Sequence, residues 1–246
     1  MRGRLIAAGL CAYAAAIVVA APATVLDAEL DRVSGGRLRL AEASGSLWSG
    51  AGQLEALDPG DRSGVARRVT WRFRPASLLR GHIVYEVGVG DAAPAFPVTI
   101  SLSGLEIAKA EIDLPAAVLG FAVPKLAALE LTGEALIHVP QLSVGRGQMR
   151  GGATLRWRNA GSVLSPVSPL GDYELRLQAD GREIHVVLRT LKGPIQIEGS
   201  GSWALGERPA FAGTSRVPAE DRDRLAPLLR LIAVERGAGT FELWLR

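Results

Sequence analysis

The chain is poor in the residues that carry most protein chemistry. Among 246 residues there is one cysteine, Cys11. It sits inside an N-terminal apolar stretch, so no intrachain disulfide can form. A domain exported without disulfides has to be held by packing and sheet pairing alone. Histidine is nearly as scarce, with His82, His138 and His185 far apart in sequence. No pair has the i,i+4 or CxxC-type spacing of a zinc site, and the strand phases given below put all three on polar sides as surface residues. No GxSxG, GxGxxG or GxxxxGK[ST] pattern occurs, and Gly199 to Ser202 reads as a turn or bulge. Ser–His–Asp groupings assemble in space and stay open at this level, but nothing favours one. The chain is therefore read as having no catalytic residue, no metal site and no cofactor.

Lysine is also rare. Of 28 basic residues only Lys109, Lys125 and Lys192 are lysine, and the net charge is +3. Basic and acidic residues are interspersed without a basic block, which argues against a nucleic-acid partner. There is no second long apolar run, so the chain is not polytopic.

The first such run is the strongest signal present. After Arg2 and Arg4 the next charge is Asp27, which leaves Leu5 to Leu26 uncharged. As a helix it would be roughly 33 Å long, enough to cross a bilayer. A cleavable signal peptide has a shorter apolar region, about 7–15 residues, ending at small residues. Ala21 to Ala23 could serve such cleavage, but run length favours a retained anchor. Arginines before it and Asp27, Glu29 and Asp31 behind it give a cytoplasmic N-terminus. The expected organisation is a cytoplasmic tip at 1–4, a transmembrane anchor at 5–26 and an exported domain at 27–246.

Beyond the anchor, "ATVLDAELDRVSGG" reads as a short juxtamembrane helix, with Val25, Leu26, Leu30 and Val33 at helical spacing and Gly35-Gly36 ending it. The period then changes to two. Leu38 and Leu40 alternate with arginines, and Leu47 to Leu57 forms a second extended segment. Trp71 and Phe73 share one face of a third, and Ile83, Tyr85, Val87 and Val89 one face of a fourth. Tyr173, Leu175, Leu177 and Ala179 do the same. One-sided alternation with turn signals every 8–12 residues means half-exposed antiparallel sheet. About a dozen strands are expected, too many for a flat open sheet, so strong curvature or splitting should follow.

Two helical interruptions are expected. One lies in "DLPAAVLGFAVPKLAAL", with Pro115 in its first turn and Leu119 and Phe121 apolar. The other is "VPAEDRDRLAPLLRLIAVE", starting at Pro218, with Leu225, Leu228, Leu229 and Ile232 along one stripe and Pro227 bending it. That stripe could cover one sheet face. Trp48, in "EASGSLWSG", reads as a core-facing strand residue at a glycine-bent hairpin. A weak echo, Trp71 with Tyr85 and Trp157 with Tyr173, suggests two similar β units in series. The fold class is thus mostly β: an N-terminal transmembrane helix followed by a curved antiparallel β-sheet domain with two short helices.

In order along the chain come "GSLWSG" (Gly45–Gly50), "WRFRPASLLRG" with Trp71, Pro75, Leu78, Leu79 and Gly81, "SPLGDYEL", "GPIQIEGSGSW" (Gly193–Trp203), "FAG" and "RLAPLLRLI". With the single anchor, this order resembles the type II secretion system protein N family (GspN, general secretion pathway protein N). The stretch Glu111 to Gln148 does not share in it, and "ERGAGTFELWLR" fits loosely. The resemblance implies an inner-membrane, single-pass subunit with a periplasmic domain. Its task would be protein secretion: export of folded proteins from periplasm to outside, by docking with other type II secretion system subunits. A looser likeness, to AsmA-like periplasmic β proteins, implies lipid as a partner and lipid handling or envelope maintenance. The two differ in one feature. Docking expects the apolar sheet face to be covered. Lipid handling expects an open trough lined by Ile83, Tyr85, Val87, Leu175, Leu177, Ile195 and Ile197.

Overall fold

Alternating side chains build one sheet. The computed structural model describes residues 20–56, 65–91, 93–122, 126, 128–229, 233–237 and 240–245. The tip and the expected anchor up to residue 19 lie outside these residues, as does Ile232. Among the described residues no helix is long and apolar enough to cross a membrane.

The strands are β1 (Leu38–Gly45), β2 (Ser49–Ala56), β3 (Val65–Phe73), β4 (Ile83–Val89), β5 (Phe96–Ser101), β6 (Gly104–Pro115) and β7 (Leu131–Gly145), then β8 (Gln148–Ser162), β9 (Gly171–Gly181), β10 (Glu183–Lys192), β11 (Gln196–Ala204), β12 (Phe211–Arg216), β13 (Ala233–Gly237) and β14 (Thr240–Leu245). Among the described residues they form a single 14-stranded sheet in chain order, except that β14 lies between β12 and β13. The sheet does not split. Register shifts occur within β1–β2, β7–β8, β8–β9, β9–β10 and β13–β14. Such bulges bend strands and sharpen their twist, which lets so many strands stay in one open sheet.

Turns fall at two ends. The near end carries the β1–β2, β5–β6, β7–β8, β9–β10 and β11–β12 hairpins and the 3-10 turn Pro75–Arg80 between β3 and β4. The far end carries the other hairpins, and the β12–β13 connection crosses back along the sheet, because β13 runs parallel to β12. Helix α1 (Thr24–Ser34) ends at Gly35 (φ 65°), whose N–H returns to Asp31. Its Leu26 and Leu30 pack with Ala23 on Leu40 and Trp71, while Val25 and Val33 stay exposed. The expected stripe is therefore only half used. Asp27 Oδ1 accepts the N–H of Leu40 at 2.7 Å, and Ser34 Oγ that of Leu38 at 2.9 Å. These are the outward N–H groups of the edge strand, so α1 caps that edge.

Both interruptions contain helix among the described residues. Helix α2 is Val118–Ala122, and Pro115 is the last residue of β6, paired with Glu134. Helix α3 is Arg222–Leu229, preceded by a turn in which Asp221 N–H reaches Pro218 O. Residues expected at its end start β13 instead. Leu225 is fully buried with Leu129, Leu131, Leu170, Ile195, Val217 and Phe241 in a far-end core.

Candidate binding surface

From β3 to β10 the register puts one side of the sheet largely in apolar residues. Trp71 faces Val87, Val87 faces Phe96, and Val98 faces Ile107. Ile107 faces Leu142, Ile137 faces Leu155, Leu155 faces Leu175, and Leu175 faces Leu188. The opposite side carries Arg72, Glu86, Glu106, His138, Arg156, Glu174, Arg176 and Arg189. On the apolar side Val89, Phe96, Ala110 and Val139 are buried, but Val87, Ile107, Ile112, Ile137 and Leu142 around them are only partly so. Leu155, Leu175, Leu177 and Leu188 are likewise half-buried. Helix α1 covers the β1–β3 corner and α3 the far-end corner. Of the stripe expected to cover a sheet face from the Pro218 helix, Leu225 packs in that far-end corner, while the side chains of Leu228, Leu229 and Ile232 lie outside the described residues.

Of the seven expected trough residues, Ile83, Tyr85, Val87, Leu175, Leu177 and Ile197 share this face and are half-buried. Ile195 does not line it. It lies in the β10–β11 connection, 2% exposed, inside the far-end core.

Trp48 lies in the β1–β2 turn, not in a strand. Ser46 Oγ accepts its N–H, and its half-buried ring stacks tilted on Phe73 at 4.9 Å, with Tyr85 5.7 Å beyond. Trp71 is the buried partner, its indole N–H bound to Ser46 O at 3.0 Å. Trp157 repeats this with Thr132 O at 2.9 Å, and its ring meets Tyr173 at 5.8 Å. Both indoles reach a carbonyl 25 residues earlier, one at the near end and one at the far end. The Tyr173 hydroxyl bridges Leu170 O and Ile195 O, and burial pushes its pKa up, with Asp172 adding to the rise.

On the polar side one arrangement escaped sequence reasoning. Glu174 is 1% exposed, flanked by its register partners Arg156 on β8 and Arg189 on β10 and by Arg176 two residues on. Arg156 Nε donates to Oε2 at 3.0 Å, Arg176 Nε to Oε1 at 2.8 Å, and Arg189 Nη2 to Oε1 at 2.7 Å. Desolvation raises the carboxyl pKa, but hydrogen bonds from Arg156 and Arg189 and the charges of Arg176 and Arg189 outweigh it and hold the pKa below its ordinary value. The clue was the Arg/Glu alternation in β8, β9 and β10, but only the register shows that the charges meet.

His82 precedes β4, His138 sits on β7 beside Glu111 (3.5 Å), and His185 on β10 beside Glu183 (3.4 Å). The strand order separates neighbouring histidines by three strands, about 14 Å at ordinary spacing, so they are not brought together. Among the described residues no group of three His, Cys, Asp or Glu side chains could hold a metal. A hollow of about 310 Å³ is lined by Arg156, Trp157, Arg158, Asn159, Asp172, Tyr173 and Leu191. A shallower one of about 630 Å³ runs over the polar side of β10 to β14 past Arg189, Glu198, Thr214 and Glu242. Neither contains a histidine or cysteine.

These features define a sheet scaffold whose distinctive surface is an extended, half-covered apolar face backed by charge pairs. The family model for the type II secretion system (T2SS), protein N, matches residues 36–243, and the chain belongs to that family. It is accordingly a component of the type II secretion machinery. Comparison with curated proteins and with solved structures gave no match.

Proposed function

We propose that the chain is an inner-membrane subunit of the type II secretion system, held by an uncleaved N-terminal anchor and acting by docking other subunits on its periplasmic sheet. The supporting observation is the place of residues 21–23. Leu47 N–H binds Ala21 O at 2.8 Å, Pro22 bridges Ser46, and Ala23, 2% exposed, is part of the α1–Trp71 core. Cleavage after Ala23 would remove all three from the folded domain. The membrane-crossing part then ends by residue 20. As a helix, the sequence from 5 to 20 would be about 24 Å long, short for a core of about 30 Å. The mature, membrane-bound protein should keep Arg2 and resist carbonate. A soluble periplasmic form beginning at Thr24 would refute the anchor. Tagged full-length chain captured from membranes should bring other secretion subunits in fixed ratio.

The AsmA-like reading, lipid handling, draws support from the half-exposed inner face at Leu175, Leu177 and Ile197. It predicts stoichiometric phospholipid on the purified protein, lost in Leu175→Glu with Ile197→Glu while the fold is kept, and no secretion subunits in the capture.

A further inference from the structure

Chain entry fixes which end of the sheet faces the membrane. Ala20 is followed at once by Ala21, bonded at the β1–β2 hairpin. One or two residues span at most about 7 Å, so on the anchored reading proposed above the near end lies against the bilayer. A short span adds a pull, since mismatch draws flanking residues toward the interface.

That same end displays apolar side chains that the fold does not use. Leu79 is 92% and Leu102 100% exposed, at the tips of the 3-10 turn and the β5–β6 hairpin, with Leu78 beside the first. Ile100, Leu105 and Val144 continue from them onto the inner face, each exposed. Leucines at turn tips earn nothing from the domain's own packing, and contiguous exposed apolar patches mark interaction surfaces. Arg80 and Arg146, exposed in neighbouring turns, can reach anionic headgroups while their stems lie along apolar surface. Trp48, amphipathic and half-buried in the hairpin that receives the chain, is the residue type enriched at membrane interfaces. From the β1–β2 hairpin to the β7–β8 hairpin is six strand spacings, a footprint of about 29 Å.

We infer that the near end is a second membrane contact: Leu78, Leu79 and Leu102 insert into the outer leaflet of the inner membrane, with Arg80 and Arg146 on phospholipid headgroups. The sheet then stands on the bilayer with its apolar face opening into the lipid.

The test uses the full chain in a Cys11→Ser background, reconstituted in phosphatidylethanolamine/phosphatidylglycerol vesicles. Leu79→Cys, Leu102→Cys and, at the far end, Val163→Cys each carry a nitrobenzoxadiazole label. Labels at 79 and 102 should emit blue-shifted and lose roughly half their intensity when the acyl chains are brominated, as expected for side chains about 5–10 Å into the headgroup–acyl boundary. The label at 163 should do neither. Labels at 79 and 102 that match 163 overturn the inference. So does a blue shift without bromine quenching, which assigns the leucines to a second copy of the chain. Carbonate extraction, run in parallel, reads the anchor separately. Release by carbonate refutes the anchor, while quenching at 79 and 102 still decides the leucine contact on the same vesicles.

Discussion

Replacing Glu174 by glutamine keeps its shape and removes its charge, leaving three guanidiniums facing one another across β8, β9 and β10. The magnitude follows from the geometry. The carboxylate is 1% exposed, but Arg156, Arg176 and Arg189 are 50%, 57% and 49% exposed. The full 3–5 kcal/mol cost of breaking a buried pair therefore does not apply. Half-exposed pairs contribute about 0.2–1 kcal/mol each. Three together give about 2 kcal/mol, or roughly 4–8 °C in Tm for a chain of this size. The pH dependence has a definite sign. The folded-state pKa is depressed, so this stability is fully present above the unfolded value of about 4.3 and is lost as pH falls through the folded value. Urea unfolding of the detergent-solubilised protein, followed by tryptophan emission, should show a constant Glu174→Gln penalty above about pH 5 that shrinks below about pH 4. A penalty under about 0.5 kcal/mol at pH 7, within ordinary surface variation, would refute the reasoning, as would one that persists unchanged in acid.

Leu225→Ala empties a fully buried site under α3 and should cost about 2–5 kcal/mol by the same unfolding measurement. Ser215 is 0% exposed, and its Oγ has no partner among the described residues. Ser215→Ala should be neutral or stabilising by about 1 kcal/mol, since it removes a desolvated hydroxyl. Replacing His82, His138 and His185 together by glutamine should leave secretion intact at normal protein abundance, and a secretion defect with normal folding would give them a role.

The alternation of residues 172–180 and 183–189 was enough to sort side chains onto two faces, because no bulge interrupts those stretches. It fails where the backbone changes phase. At Lys109 (φ 54°) and Asn159 (φ 47°) residues with side chains sit in left-handed conformations, so Ile107 and Ala110 share a face that strict period two would deny them. Trp48 reads as a strand residue because its neighbours extend, but the Ser46 hydroxyl bonds that make its turn depend on the fold. Pro115 reads equally as a first-turn helix residue or as the last residue of a strand, and pairing with Glu134 decides it. The ends of α3 were hidden because β13 claims residues with good helix propensity; sheet pairing overrides local preference. Arg156, Glu174 and Arg189 lie 15 and 18 residues apart, so only register unites them. The leucines at 79 and 102 were visible as letters, but what marks them is the end of the sheet on which they fall.

The cap that α1 places on β1 has a consequence for assembly. A ribbon that grows by edge-to-edge pairing needs two open edges on every unit, one to accept and one to offer. Here Asp27 and Ser34 already occupy the outward N–H groups of Leu40 and Leu38, leaving β13 as the sole edge without a strand or cap of its own among the described residues. A 14-stranded open sheet among the described residues, which by size alone invites edge-to-edge growth, is thereby closed to strand addition at Leu38 and Leu40 of its β1 edge.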